Sequence, residues 1–227
     1  MSRETFLARV RQAAQAGRAY RVHLRDVPAG VGYVGPAQPD LCVSLADEIN
    51  AVGGVAQVCD DDDAARAALE ELLRRYEPRT ALCWQHETLE SLKIGELLVR
   101  RGVAASSYDQ LANVEAEPRR ETMFAADIGI TSVEWAIAET GTLVMWAKPG
   151  RERVASLLPP VHVALVRQAQ IVPDLFDVFA KVHAGGLSNM PSHLTLITGP
   201  SKTGDIELQL TTGVHGPGKW HVLIVRE

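Results

Sequence analysis

The stretch GVAQVCDDDDAARAALEELLRRYEPRTALCWQ, residues 54–85, places two short apolar runs on either side of a charged, amphipathic segment. The apolar runs, 54–60 and 80–85, are typical of buried strands. The segment between them, 61–78, begins with aspartates and ends with arginines, as the helix dipole favours, and predicts a helix. A strand–helix–strand unit of this length is typical of a parallel sheet.

The same alternation continues on both sides of this unit. After it the pattern predicts a helix over 87–102 and a strand over 103–109. Before it the pattern predicts helices over 3–17 and 40–52, the second ended by a pair of glycines. Strands that alternate with helices predict the α/β class with a largely parallel sheet.

The second half of the chain adds an antiparallel pair. Two extended runs within 133–147 meet at Thr140 and Gly141, and such a short glycine connection predicts a β-hairpin. Further on, the pattern predicts strands over 159–166, 192–199 and 219–225 and a helix over 173–186. The segment 204–213, GDIELQLTTG, fits either a strand or a short helix, and the usual strand–loop–helix order favours the helix.

Composition limits the classes of function. The chain has 227 residues and a formal net charge of −5 with both signs dispersed, which argues against a nucleic-acid partner. It has no apolar run of membrane-spanning length and no signal-peptide core at its N-terminus, so we expect a soluble, cytoplasmic protein. Cys42, Cys59 and Cys83 form no CxxC pair, so we expect no disulfide framework, metal site or bound cluster.

One candidate linker divides the chain. Residues 27–40 are rich in Gly and Pro and predict a loop. We therefore expect residues 1–26 to form a helical arm packed on the domain and residues 27–227 to form a single α/β domain.

The loop TGPSKTGD, residues 198–205, is the first candidate site. Its glycines, Gly199 and Gly204, have P-loop spacing, but Asp205 stands where that motif requires lysine, so a Walker-type nucleotide site is excluded. A Gly/Ser/Thr loop that leads into a helix still offers N–H groups to an anion. The alternative is that Ser201 or Thr203 merely caps the helix and that its acidic residues complement the dipole.

Other polar features are weaker candidates. In AETGTL the turn could present the Glu139 carboxylate to a cleft, or Glu139 could be an ordinary acidic residue beside a hairpin. The run Asp60–Asp63 fits a solvated helix start better than a calcium loop. His162 and His221 lie in apolar runs and are interpreted as satisfied core or strand residues. His215 lies among glycines and suits proton transfer or hydrogen-bond donation, and the alternative is an ordinary turn histidine.

Three segments in this order resemble one known family. GITSVEWAIAETGTLV, LPPVHVALV and TGPSKTGDIELQLTTGVHGPGKWHVLIV are similar to the lactate utilization protein C family, which is also called the LUD-domain family. The similarity extends from about Asp127 to the end of the chain. The family typically has TGPSRTADIE, so Lys202 here keeps the charge of an arginine but lacks its planar fork.

The resemblance implies a fold and a pathway. The fold would be a three-layer α/β/α domain like that of glucosamine-6-phosphate isomerase, ribose-5-phosphate isomerase and the CoA-transferases (the NagB/RpiA/CoA-transferase-like group), with a mixed, mostly parallel sheet. Family members act with two iron–sulfur proteins in oxidising L-lactate to pyruvate. This chain would be the soluble, cluster-free component, with the clusters on its partner proteins and a small carboxylate or phosphate as its ligand.

The resemblance also suggests site residues, all at loops expected to meet at strand ends. Glu139 and His215 are the candidates for proton transfer or polar orientation. The candidate ligand-binding residues are Thr140, Gly141, Thr142, Gly199, Pro200, Ser201, Lys202, Thr203, Asp205, Glu207 and Gly216. The alternative hypothesis is a stand-alone sugar-phosphate isomerase or acyl/CoA-transferase-like enzyme in which Glu139 is the base or nucleophile. Whether the chain is itself catalytic stays open, and so does its oligomeric state.

Overall fold

The computed structural model of the chain describes residues 2–16, 35–186, 189–204 and 210–226. The first described segment contains one helix and belongs to a different unit from the residues that begin at Gly35. The predicted linker residues 27–34 lie outside the described residues. That residues 1–26 pack as an arm on the domain therefore stays a prediction.

From Leu41 to Thr131 helices alternate with single strands, as the sequence predicts, and further on several strands follow one another. The helices are α1 (Arg3–Ala16), α2 (Leu41–Ala51), α3 (Asp62–Tyr76), α4 (Glu87–Ser91), α5 (Ile94–Arg100), α6 (Tyr108–Ala112), α7 (Ala116–Phe124), α8 (Val154–Leu157) and α9 (Leu175–Ala184). The strands are β1 (Val55–Cys59), β2 (Thr80–Cys83), β3 (Ala104–Ser106), β4 (Ile128–Thr131), β5 (Trp135–Ile137), β6 (Thr142–Trp146), β7 (Val161–Arg167), β8 (Ile171–Val172), β9 (Leu194–Ile197), β10 (Lys202–Gly204), β11 (Leu210–Thr212) and β12 (Lys219–Val225).

The centre of the domain is a six-stranded sheet with the order β1-β12-β7-β4-β2-β3. Every neighbouring pair in it is parallel. The inner strands β7 and β12 are almost continuously apolar and buried, as expected for strands that are covered on both faces. The predicted α/β fold with a mostly parallel sheet is confirmed.

Opposite faces of this sheet carry different helices. His221 of β12 bonds to Tyr76 of α3, while its neighbour Trp220 contacts the backbone at Gly54, directly after α2. Because adjacent strand residues point to opposite faces, α2 and α3 lie on opposite sides of the sheet. Helix α8 lies on the α2 side, where a Cβ on Gly129 would be 1.7 Å from the Ala155 carbonyl oxygen. The sheet is thus the middle layer of three.

The predicted hairpin exists, but it belongs to a second sheet. Strands β5 and β6 are antiparallel around Thr140 and Gly141, and they form a four-stranded sheet with the order β8-β5-β6-β9. Gly141 has a φ of 63° and packs against α2, where a Cβ would be 2.6 Å from the backbone nitrogen of Ile49. The turn therefore requires glycine for both conformation and space.

One predicted helix is divided. The segment 87–102 forms α4 and α5, which are separated at Lys93, a residue with a φ of 52°. Leu92 and Ile94 are both fully buried. In a continuous helix, two residues in this relation point about 200° apart, so the break allows both side chains to enter one core.

The helix predicted within 204–213 is wrong where the structure describes it. Leu210–Thr212 form strand β11, which pairs antiparallel with β10, Lys202–Gly204. Residues 205–209 lie outside the described residues. The loop at 198–201 thus leads into a strand.

The aspartate run is a helix start, as predicted. The Asp61 carboxylate accepts from the backbone N–H of Ala64 and caps α3, and Asp62 pairs with Arg167. None of the helices in the described ranges has the length and apolar content that crossing a membrane requires.

Candidate functional site

A cavity of about 280 Å³ lies beside the second residues of β7 and β12. It is bounded by α8 on one side and by strand β9 and the loops around it on the other. Its lining consists of Ser156, Leu157, His162, Thr195, Leu196, Ile197, Thr198, Gly199, Pro200, Ser201, His215, Gly216, Pro217 and Trp220.

His162 is the most unusual polar residue in this lining. It is fully buried, and its Nε2 lies 2.9 Å from the hydroxyl of Thr131. Its Nδ1 has no hydrogen-bond partner within the part of the chain that the structure describes. Burial lowers the pKa of His162 to about 3, with a smaller contribution from His221, so the imidazole is neutral. A neutral imidazole with one free nitrogen has capacity for one further hydrogen bond.

Trp220 presents a second unused nitrogen. It is the register partner of His162 on the adjacent strand, so both side chains lie on the same face of the sheet. The Cε3–Cζ3 edge of its indole packs toward Gly54, where a Cβ would be 2.5 Å from Cε3. Nε1, on the opposite edge, is buried and has no partner among the described residues. Indole N–H is a donor only, so it requires an acceptor atom.

Five of the residues predicted from the sequence line this cavity: Gly199, Pro200, Ser201, His215 and Gly216. Two backbone bonds hold their loops together, from Ser201 N–H to the Pro217 carbonyl (2.9 Å) and from Gly213 N–H to the Ser201 carbonyl (2.9 Å). Gly216 fits closely, because a Cβ there would be 3.2 Å from Cβ of Ser201. The proximity of these two loops was predicted from the family resemblance.

The AETG turn reaches the cavity only through hydroxyl groups. The Thr142 hydroxyl lies 2.7 Å from that of Thr140 and 2.7 Å from that of Thr198, which lines the cavity. Gly141 packs on α2 instead. Glu139 is half-buried, donates its backbone N–H to the Pro173 carbonyl (3.0 Å), and is not among the lining residues.

Lys202 faces away from the cavity lining. Its ammonium lies 2.6 Å from the carbonyl oxygen of Val52, the residue that ends α2. Thr203 lies in β10 opposite Thr211. Asp205 and Glu207, which were predicted to join the anion loop, lie outside the described residues. A cation at the carboxyl end of a helix is favoured by its dipole, so Lys202 has a structural partner where the sequence suggests a ligand.

Sequence reasoning missed His162, Trp220 and Ser156. The interpretation of His221 is supported, because its Nε2 lies 2.8 Å from the Tyr76 hydroxyl. His162 is satisfied at one nitrogen only. The loops do meet at strand ends, and these are the amino-terminal ends of β7 and β12. The segment 198–218 leads into the start of β12, so it cannot lie at the carboxyl ends where α/β sheets usually bind ligands.

A second, larger groove of about 600 Å³ lies beside Trp146. It contains Lys148 and Arg151, which share the single carboxylate of Glu134 at 3.6 and 2.9 Å. The buried Nε1 of Trp146 also has no partner among the described residues. Only the smaller cavity combines two such nitrogens with the loops that were predicted from the sequence.

None of the described cysteines lines either of these two cavities. Within the described ranges, no group of three or more His, Cys, Asp or Glu side chains is arranged to hold a metal ion. Burial raises the pKa of Cys59 to about 11 and that of Cys83 to about 12. Both side chains are therefore thiols at neutral pH.

The sequence of the domain matches one family over most of its length. The LUD domain matches residues 44–225, a range that includes the whole cavity lining. The chain belongs to the LUD domain family. The resemblance seen in the sequence is confirmed.

Relatives of this LUD domain protein carry one common name. Lactate utilization protein C of Halalkalibacterium halodurans is 30% identical over 167 residues, which cover 73% of this chain and 70% of the relative. Lactate utilization protein C of an Exiguobacterium species is 36% identical over 126 residues, about half of each chain (54% and 54%). A crystal structure of a DUF162 family protein from Deinococcus radiodurans has a TM-score of 0.58 at 21% identity, covering 82% of this chain and 96% of that one, and supports the fold.

Proposed function

We propose that this protein is the cluster-free component of an iron–sulfur system that oxidises L-lactate to pyruvate. The observation that carries the proposal is the similarity to lactate utilization protein C, which extends over 73% of the chain. The protonated thiols of Cys59 and Cys83 are consistent with clusters that reside on partner proteins.

Within that system the protein binds a small organic acid in the cavity beside His162 and Trp220. The support is geometric. The loops at 199–201 and 215–216 bring hydroxyl and backbone groups to a cavity whose lining also includes His162 and Trp220. A concave apolar site with a few convergent polar groups is the usual form of a small-molecule site.

The alternative of a stand-alone isomerase or acyl transferase has less support from this geometry. It requires Glu139 as base or nucleophile, and Glu139 is not among the residues that line the cavity. Turnover of a phosphosugar or an acyl-CoA by the purified chain, abolished in Glu139→Gln, would favour it.

Gene deletion combined with co-purification tests the proposed role. We expect a deletion strain to lose growth on L-lactate and to keep growth on pyruvate, which enters after the oxidation step. We expect the tagged protein from lactate-grown cells to recover iron–sulfur proteins, recognised by their visible absorbance. Normal growth on L-lactate, or equal loss of growth on pyruvate, would contradict the proposal.

A further inference from the structure

The larger groove, beside Trp146, lies between two segments that run next to each other. The Ala147 N–H donates to the His193 carbonyl at 3.0 Å, so residues 189–192 lie beside the loop that follows β6. Helix α8 forms a further wall. The volume of about 600 Å³ is within the range of about 300–1,000 Å³ that is typical of small-molecule sites. The groove therefore has room for a ligand larger than the acid proposed for the cavity beside β9.

The loop of residues 147–153 brings an excess of positive charge into this groove. Lys148, Arg151 and Arg153 all line it, and Glu152 is the one carboxylate in its described lining. Lys148 and Arg151 share the carboxylate of Glu134, whereas Arg153 has no ion pair among the described residues. Three cations against these two carboxylates leave one positive charge in excess, so the groove suits a ligand with a single negative charge.

The backbone of this loop is fixed by bonds within the chain. Gly150, with a φ of 83°, accepts the Gln85 N–H at 2.8 Å and donates its own N–H to the Glu152 carboxylate at 2.8 Å. The indole N–H of Trp84 donates to the Glu152 carbonyl at 2.8 Å. A binding loop that is already ordered loses little conformational freedom when a ligand binds, which favours affinity.

The rest of the groove carries apolar side chains that are open to solvent. Tyr108, Leu157 and Met190 line it with 39%, 37% and 43% of their surfaces exposed. Leu158 and Pro191 extend the same lining. Exposed apolar side chains that lie together are typical of binding sites. Covering them favours a ligand with an extended apolar body, which L-lactate, with its single methyl group, does not have.

We infer that this groove binds an organic monocarboxylate with an unbranched apolar body of several carbon atoms. The carboxylate is held by Arg153 and the neighbouring cations, and the apolar body lies against Tyr108 and Met190. This is a second site, and it does not depend on the proposed role in lactate oxidation.

Isothermal titration calorimetry on the full chain tests the inference with acetate, butyrate, hexanoate and octanoate at one ionic strength. We expect affinity to rise from butyrate to octanoate by roughly twofold to fourfold for each added methylene, since complete burial of a methylene corresponds to about fourfold. 1-Octanol has an equally long chain without the charge, and we expect it to bind at least about tenfold more weakly than octanoate.

Two variants locate the site. Arg153→Gln removes the cation that has no ion pair, and we expect it to weaken octanoate by about threefold to tenfold. Its control is Arg100→Gln, at an exposed arginine of α5 outside the groove, with a change below about twofold. Met190→Gln makes the apolar wall polar and should weaken octanoate by about threefold. Its control is Val99→Gln, at an exposed apolar side chain that does not line the groove, with affinity unchanged.

Any of four results would overturn the inference: no binding of octanoate, equal affinity for acetate and octanoate, equal affinity for 1-octanol and octanoate, or unchanged affinity in either Arg153→Gln or Met190→Gln. Matching thermal unfolding temperatures of the four variants and the parent confirm that each variant is folded. The proposed function fails separately, because growth on L-lactate does not enter this experiment.

Discussion

Gly129 is the residue where the sheet and its covering helix approach most closely. It lies in β4, next to His162 in register, and a Cβ there would be 1.7 Å from the carbonyl oxygen of Ala155 in α8. The obstacle is backbone, which cannot rotate away as a side chain can. Because Ser156 follows directly in α8, the same approach positions one wall of the cavity.

Gly129→Ala should therefore destabilise the domain by about 3 kcal/mol or more, measured by urea denaturation. The matched control is Gly95→Ala in α5, where a Cβ meets nothing within 4 Å. There we expect a gain of about 0.5 kcal/mol, because alanine favours the helix more than glycine does. Similar free energies of unfolding for the two variants would show that α8 does not pack as described.

At the same scale, His162 and His221 show where sequence reasoning ends. Each histidine follows one apolar residue and precedes another, in VHV and WHV. The local sequence therefore gives both histidines the same interpretation. Tyr76 reaches His221 from α3, whereas nothing described reaches the second nitrogen of His162. The hydrogen-bond partner of a buried side chain comes from a distant part of the chain. The local sequence pattern therefore cannot show whether such a partner is present.

At the scale of single elements, α2 is held at both ends by distant parts of the chain. Asp40 accepts from the N–H groups of Cys42 and Val43 at its start and pairs with Arg226 at 2.6 Å. At its end, Lys202 donates to the carbonyl of Val52 at 2.6 Å. The arrangement complements the helix dipole at each terminus.

Lys202→Met separates this structural role from the ligand role that the sequence suggests. The variant keeps the apolar stem and removes the charge. We expect a loss of about 0.5–1 kcal/mol in the free energy of unfolding, and affinity for pyruvate or L-lactate within twofold of the parent. The control is Lys219→Met at the exposed start of β12, which removes the same charge with a change below about 0.5 kcal/mol. A tenfold loss of affinity for the acid, with an unchanged free energy of unfolding, would show that Lys202 contributes to ligand binding instead.

Elements with a strong local pattern were predicted well, and those that depend on tertiary contacts were not. The aspartates and arginines of α3 define its ends without reference to the rest of the molecule. The break between α4 and α5 exists because Leu92 and Ile94 enter the same core. The pairing of β10 with β11 joins residues on either side of a segment whose apolar spacing fits helix and strand equally.

At the scale of the whole molecule, three buried histidines link stability to pH. Burial lowers the pKa of His86 to about 4, His162 to about 3 and His221 to about 4, with smaller contributions from Arg151, His221 and Arg75 respectively. In the unfolded chain each returns to a pKa of about 6.5. The unfolded state therefore binds more protons below that pH, and stability falls as the pH is lowered toward the folded-state values.

We expect the free energy of unfolding to be nearly constant above about pH 7 and to decrease between about pH 6.5 and 4. The slope should approach about 1.4 kcal/mol per pH unit for each histidine. This slope is measured by urea denaturation at each pH, with tryptophan fluorescence as the signal of unfolding. His221→Gln should reduce the slope by about one third, whereas the exposed His193→Gln should leave it unchanged. A pH-independent stability across this range would contradict the burial of these side chains.

The position of β12 has a consequence for how the protein is made. This strand fills the space between β1 and β7, although it is synthesised long after both. Until residues 219–225 leave the ribosome, the inner edges of β1 and β7 have no neighbour, and their N–H and C=O groups are open to pairing with another nascent chain. The central sheet is therefore completed only after residues 219–225 have been synthesised, and until then the partly made domain is prone to mispairing.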